Sequence, residues 1–294
     1  MTADIYLLDG TYELFRHFYA VPSHVNDAGE EVAATRGVLA SVIGMLESGV
    51  THIGVATDHV IESFRNDMWP GYKTGEGVDP RLLAQFIPLE QVLESMGIAT
   101  WPMVELEADD AIAAAAVSLQ KLSDVDRIII CSPDKDFAQC VRGDKIVQLN
   151  RRTREIRNEA GVHTRFGIYP SSIPDYLALV GDTADGYPGL DGWGEKASAT
   201  VLGAYGHLEK IPQRAENWKV QVRRADLLAS TFRENFKLAL LFRDLATLRT
   251  RKPKLTSTSK VHWKGPRPSF PASCKRLDAP ELKDRVDVLV SQRG

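Results

Sequence analysis

Nine acidic side chains hold most of the chemistry that this sequence offers. Asp9, Asp58 and the pair Asp134 and Asp136 each follow a short, nearly continuous apolar run, at residues 4–8, 52–56 and 127–131. Such runs read as strands buried on both faces. In an open parallel sheet the carboxyl ends of the strands share one edge, where ligands bind, so acids far apart in sequence are expected to converge. Glu107, Asp109 and Asp110 open a helical stretch, with Glu107 and Asp110 three residues apart and therefore on one face; Asp182 and Asp185 repeat that spacing. So many like charges in one cleft call for cations. A set made of carboxylates offers oxygen ligation, which favours Mg²⁺ or Mn²⁺ over zinc, and nine acids suffice for two ions. Two such ions about 4 Å apart clamp the attacking and leaving oxygens of a phosphodiester displacement. Any one of these acids could equally start a turn or cap a helix. The joint pattern, at the same end of three strands and at two helix starts, is what points to a site.

The elements that must position them alternate. Helical patterns at 35–48, with Thr35 as N-cap, at 81–96, with Leu82, Phe86, Leu89, Val92 and Leu93 on one stripe, and at 108–122 separate the strands. Strand, helix, strand in this order predicts an α/β fold with a largely parallel central sheet flanked by helices. After Asn150 the character changes. A basic, turn-like ribbon at 151–157 leads into helical patterns from about Pro170 to Leu248, broken by glycines between Gly186 and Gly194. Residues 249–276 are basic, rich in Pro, Ser and Thr and aperiodic, which predicts a flexible or extended segment before a short helix from Pro280 to about Ser291.

Charge is distributed unevenly. Residues 1–140 hold 8 Lys+Arg and 22 Asp+Glu, a balance of −14; residues 141–294 hold 28 and 17, a balance of +11. An acidic half beside a basic half suggests metal ions on one part and a polyanion on the other. Two cations stand close behind Asp58: Arg65 in Ser63-Phe64-Arg65 and Lys73 in Gly71-Tyr72-Lys73. A fixed cation there could stabilise phosphoryl charge, and an aromatic could stack on a base. The stretch Gly192-Trp193-Gly194-Glu195-Lys196 opens a helix near Ala197, a backbone suited to approaching a phosphate. Three cysteines without paired spacing exclude a disulfide framework and a thiolate zinc site, and no apolar run is long enough for a membrane span. These features predict a cytoplasmic protein.

In these segments the chain resembles the 5′ nucleases: the bacterial and phage flap endonucleases and the 5′-3′ exonuclease domain of DNA polymerase I. The matching blocks are Leu7-Leu8-Asp9-Gly10, Ser63-Phe64-Arg65 with Tyr72-Lys73, Glu107-Ala108-Asp109-Asp110, Asp134-Lys135-Asp136, Gly181-Asp182 with Asp185, and Gly192 to Lys196. The resemblance implies a PIN-like α/β nuclease core at 1–165 with a helical arch at about 66–90. It further implies a helix-three-turn-helix DNA-binding lobe at 166–250 and a basic extension at 251–294. It implies that Asp9, Asp58, Glu107 and Asp109 serve mainly one metal and Asp134, Asp136 and Asp185 the other, with Asp110 and Asp182 as additional acids. Lys73 and Arg65 would contact the scissile phosphate and Tyr72 would stack near the 5′ end. The Gly192, Gly194 and Lys196 turn would grip the duplex backbone and bind K⁺. The implied activity is structure-specific cleavage of 5′ flaps and 5′ ends, DNA or RNA-primed, in replication and repair, by a monomeric stand-alone enzyme.

Three positions depart from the family pattern. Thr74-Gly75-Glu76 places an acid where an arginine commonly stands, Gly186 replaces an asparagine after the last aspartate, and Trp193 replaces an aliphatic residue. Two rival functions remain to be separated. A haloacid-dehalogenase-like phosphatase would need an aspartate two residues after Asp9, where Thr11 stands. A non-catalytic structure-specific DNA-binding protein would use the acids for folding alone.

Overall fold

The computed structural model describes residues 2–293. In chain order they form β1 (Ala3–Asp9), α1 (Gly10–Phe18), α2 (Ala33–Glu47), β2 (His52–Asp58), α3 (Phe64–Met68), α4 (Pro80–Leu83), α5 (Phe86–Ser95), β3 (Ala99–Met103), α6 (Ala108–Leu119) and β4 (Val125–Cys131). There follow β5 (Ile146–Asn150), β6 (Glu155–Arg157), α7 (Glu159–Phe166), α8 (Ile173–Val180), α9 (Glu195–Tyr205), α10 (Ala225–Glu234), α11 (Phe236–Ala246), α12 (Phe270–Arg276) and α13 (Pro280–Arg293). Packing divides the chain into two units: residues up to 61, 75–132 and from 249 onward form the first; 62–74 and 133–248 form the second. The chain therefore passes between units more often than the linear division expected from sequence, and the basic extension packs with the α/β unit.

In the first unit β1 pairs in parallel with β2 on one side and β4 on the other, and β2 pairs in parallel with β3. Ile5, Leu7, Leu8, Ile53, Val55, Ile128 and Ile130 are fully buried. Each such side chain contributes about 1.5–3 kcal/mol on burial, which is why the apolar runs are continuous and not alternating. The strand β3 has no such signature. Its Pro102 lacks an N–H, a defect tolerated because β3 pairs with β2 at the end of the strand order.

Two helical expectations need correction. The stretch 81–96 is two helices, α4 and α5. A continuous helix would need an N–H from Pro88 to the carbonyl of Ala84, and the pyrrolidine ring both lacks the donor and collides with that carbonyl. Helix α2 begins at Ala33, so Thr35 is inside it and not its cap. Fully buried, Thr35 donates from both its backbone N–H and its Oγ1 to Gln85 Oε1.

Residues 249–269 are extended for most of their length, but they are tied down. Ile53 N–H donates to the Val261 carbonyl at 2.7 Å, Trp263 N–H to Thr51 at 2.9 Å, and Trp263 Nε1 to Met96 at 2.8 Å. Isolated anchors (Val261, Trp263, Phe270) do this work, and isolated anchors leave no period in the sequence. The pairing of Arg276 with Glu30 at 2.8 Å fastens α12. The Arg276 guanidinium and the Asn26 amide together hold the Glu30 carboxyl down at about 2. A depressed carboxyl stabilises the fold above its ordinary value near 4.5, and that stabilisation is lost as pH falls through about 2. The melting-temperature advantage of the wild type over Glu30→Gln is therefore expected to be small at pH 6 and to shrink as pH drops from 4.5 toward 2.

The second unit is helical around a core of Leu177, Leu179, Val201, Leu202, Phe232 and Phe242, with the antiparallel β5–β6 ribbon at its side. Helix α3 starts with a reciprocal cap between Ser63 and Asn66, and α7 ends on Gly167 in the left-handed region.

Candidate active site

In the α/β unit the acids at strand ends also start helices. Asp9 ends β1 and caps α1: its Oδ1 accepts from Tyr12 N–H at 2.8 Å, and its Oδ2 accepts from Ser132 Oγ, just past β4, at 3.2 Å. Asp58 ends the neighbouring strand β2, and its Oδ1 accepts from Ala108 N–H at 2.8 Å. This contact brings the amino terminus of α6, with buried Glu107 and half-buried Asp109, to the end of β2. Asp9, Asp58, Glu107 and Asp109 thus gather at the carboxyl edge of the strands. Asp110 plays another part. It is fully buried, with Oδ2 accepting from Glu107 N–H at 3.0 Å and Oδ1 from Arg249 N–H at 2.7 Å, so both of its oxygens serve backbone amides. It holds the helix start together.

The second unit carries its own acidic group. Carboxylate oxygens of Asp136, Asp182 and Asp185 lie within 4.8 Å of one another. Asp182 and Tyr187 exchange backbone hydrogen bonds at 2.8 and 3.1 Å, forming a short hairpin whose tip presents Asp185. Two lysines answer these acids: Lys135 Nζ reaches Asp182 at 3.0 Å, and Lys73 Nζ reaches Asp185 at 3.1 Å. Burial lowers the Lys135 ammonium, but Asp182, with Asp136 and Asp134, outweighs burial and raises it. Asp136 is held well above the ordinary carboxylate range, first by burial and then by Asp134, Asp185 and Asp182. Asp134 lies outside the close trio. Its Oδ1 accepts from Asp136 N–H at 3.0 Å, capping the turn at 135–140. Burial and then Asp182 push its carboxyl upward too, opposed by the hydrogen bond from Asp136 N–H and by Lys73 and Lys135.

Buried like charges in such an arrangement require a counter-ion. Asp136 Oδ1 is buried and has no hydrogen-bond partner among the described residues. An all-oxygen donor set with an unsatisfied buried oxygen fits a hard divalent cation.

Other sequence-predicted residues are placed differently from expectation. Arg65 is 1% exposed, its Nε donating to the Leu245 carbonyl at 2.8 Å and its Nη2 to Thr247 at 3.3 Å, which ties α3 to the end of α11. A guanidinium spent on carbonyls in the core does not present itself to a phosphate. Tyr72 is 3% exposed within the core of the second unit, so its ring face is not open for base stacking. Gly192 is in the left-handed region, Gly194 caps α9, and Lys196 is exposed on its first turn, a surface open to a backbone phosphate. Trp193 anchors that turn: it is buried against Phe232 and Trp218, with Nε1 donating to Leu228 at 3.1 Å.

Gly186 has a physical reason. Its φ is +80°, and a Cβ there would lie 2.0 Å from the Gly71 carbonyl oxygen. An asparagine tolerates the backbone conformation but not that approach. Gly186→Asn is expected to destabilise by about 1–3 kcal/mol and to lower the affinity for Mn²⁺. The displaced Gly71 is two residues from Lys73, whose N–H donates to the Asp185 carbonyl. Urea denaturation and Mn²⁺ titration check this.

Sequence reasoning missed several supporting groups. Glu90 on α5 is buried, accepting from Thr57 Oγ1 at 2.9 Å and pairing with His59 Nδ1 at 2.8 Å, beside Asp58. Thr11 Oγ1 accepts from Asp58 N–H at 2.8 Å, so the position that a dehalogenase-like phosphatase would give to an acid fastens two elements instead. Tyr187 has a buried hydroxyl without a hydrogen-bond partner among the described residues, and burial and then Asp136 raise it far above the ordinary tyrosine range. An acid on a stripe of apolar residues, as Glu90 is on α5, was the one available signal.

Comparison with known proteins gives concordant matches. The family model described as 5′-3′ exonuclease, N-terminal resolvase-like domain, matches residues 4–167, and that described as 5′-3′ exonuclease, C-terminal SAM fold, matches residues 168–269. The 5′-3′ exonuclease of Buchnera aphidicola subsp. Baizongia pistaciae is 31% identical over 258 residues, spanning 87% of this chain and 84% of that protein. The 5′-3′ exonuclease of Aquifex aeolicus is 31% identical over 243 residues, 82% of each chain. DNA polymerase I of Pseudomonas aeruginosa is 31% identical over 259 residues, 84% of this chain but 27% of that protein. Among solved structures, the phage T5 5′-exonuclease with bound zinc ions has a TM-score of 0.66 at 16% identity, covering 98% of both chains. The catalytic core of Rad2 in complex with DNA substrate has a TM-score of 0.65 at 16% identity, covering 98% of this chain and 93% of that one. At these identities the structures establish the fold.

Proposed function

Because this chain belongs to the family of metal-dependent 5′-3′ exonucleases and flap endonucleases, we propose that it hydrolyses DNA phosphodiesters near single-strand/double-strand junctions, in replication and repair. The observation that supports this most is the close trio of Asp136, Asp182 and Asp185 with its unsatisfied buried oxygen.

In this reading Asp9, Asp58, Glu107 and Asp109 hold one divalent ion and Asp136, Asp182 and Asp185 a second, with Asp134 setting the backbone of Asp136. When bound, Mg²⁺ or Mn²⁺ supplies Lewis-acid activation of water and neutralises charge on the phosphate. Lys135 and Lys73 orient Asp182 and Asp185 and keep the acidic group from excess negative charge. Lys73, paired with Asp185 and 30% exposed at its side chain, also faces the phosphate in this reading. Water supplies the entering oxygen, the bond from phosphorus to the 3′ oxygen breaks, and the 5′-phosphate stays on the new end. Lys196 and the Gly192–Gly194 turn grip the duplex backbone without reading sequence, with K⁺ at that turn. A monomer in the cytoplasm completes the reading.

A 5′-flap duplex labelled at its 3′ end tests this, incubated with and without Mg²⁺. Strand shortening near the junction in Mg²⁺ and none in EDTA is expected. A dehalogenase-like phosphatase would release inorganic phosphate without shortening, and a binding protein would retard the duplex uncut. An intact flap in both Mg²⁺ and Mn²⁺ overturns the reading.

A further inference from the structure

Beside the acidic trio, the second unit holds a pocket of about 430 Å³. Lys135, Arg157, Arg165 and Tyr176 line it, with Thr183 next to Asp182 on its wall. The volume falls in the range of sites that take a small ligand. Three cations and one acid, Glu195, line it; Lys135 is paired with Asp182 and Arg157 with Glu155, which leaves Arg165 as the cation there without an ion pair among the described residues.

Two of these groups are not used by the fold. Arg165 has no ion pair or hydrogen bond among the described residues; its guanidinium rests over the Phe166 ring at 5.5 Å. The Tyr176 ring packs in the core against Phe166, while its hydroxyl, which makes no hydrogen bond to the described residues, is open to solvent at the pocket. Burial and then Glu195 push that hydroxyl up to about 12, with Arg165 opposing, so it stays a donor at neutral pH. Arg157 is steadied by Glu155 at 3.1 Å and Gln148 at 3.3 Å, leaving it pre-set at the pocket wall.

We propose that this pocket is a phosphate subsite for the bound nucleic-acid strand, with Arg165, Arg157 and the Tyr176 hydroxyl as its donors. The chemistry is that of a planar guanidinium pair and a hydroxyl converging on one tetrahedral anion. The identity of the strand rests on the nuclease reading above; the anion preference of the pocket does not.

The test measures fluorescence anisotropy of a labelled 5′-flap duplex, with Ca²⁺ replacing Mg²⁺, across a KCl series. One set of duplexes carries a 5′-phosphate and the other a 5′-hydroxyl. Arg165→Ala is expected to weaken binding about tenfold and to reduce the slope of log Kd against log salt by about 0.9, one phosphate contact. Tyr176→Phe, which keeps the ring, is expected to weaken binding about fivefold with the slope unchanged. Arg127→Ala, which removes an exposed pair with Asp4 in the other unit, serves as the reference for a cation outside the pocket. A penalty confined to 5′-phosphorylated duplexes identifies a terminal monoester; an equal penalty on both identifies an internal diester. Wild-type binding and slope by both pocket variants on both duplexes, while the wild type cleaves flaps, overturns the subsite and leaves the nuclease reading standing. Absence of flap binding and cleavage by the wild type overturns the nuclease reading itself.

Discussion

Asp136→Asn is expected to lower single-turnover flap cleavage about a thousandfold, a loss of about 4 kcal/mol in transition-state stabilisation. Asp136 is the member of the trio whose buried oxygen has no protein partner, so an amide in its place removes a ligand and adds an N–H donor facing Asp182 and Asp185. The same substitution has an opposite effect without metal. Asp134, Asp182 and Asp185 all oppose a charge on Asp136, and asparagine relieves that repulsion. In EDTA the variant is therefore expected to melt several degrees above the wild type, and added Mn²⁺ should stabilise the wild type more than the variant. Cleavage at the wild-type rate by Asp136→Asn would remove the trio from the mechanism.

Arg65→Met is expected to cost about 3 kcal/mol of stability in urea denaturation. The methionine fills similar volume, but the buried Leu245 carbonyl and the half-buried Thr247 carbonyl lose their guanidinium donors, at about 1–3 kcal/mol for a buried group left unsatisfied. Once folded, the variant is expected to turn over near the wild-type rate per folded molecule. The motif comparison implies the reverse, a direct phosphate contact. A fall in kcat of a hundredfold with unchanged stability would restore that role and contradict the placement in the core.

Much of the α/β unit could be read from the chain alone, because strands buried on both faces leave continuous apolar runs and an acid at the end of such a run has a fixed address. Asp9 and Asp58 were legible for that reason. The strand β3 was not, since Pro102 breaks the run and an edge strand needs no second buried face. The break between α4 and α5 followed from Pro88, a rule available in the sequence but outweighed there by the apolar stripe. Burial separated residues that motif spacing could not. Arg65, Tyr72 and Asp110 occur in blocks shared with the family, yet their side chains are used on backbone groups or in a core. Conversely, Glu90 and the Tyr176 hydroxyl took on meaning only once elements distant in sequence were packed around them. The Gly186 departure had no explanation until the carbonyl of Gly71 was seen to fill the space.

The central claim is that acids contributed by separate segments of the chain hold divalent ions. Counting Mn²⁺ bound per chain by equilibrium dialysis tests it most directly, on the wild type, Asp58→Asn and Asp136→Asn. Two ions on the wild type and one on each variant are predicted. An unchanged count in both variants, or no Mn²⁺ retained by the wild type, would contradict it.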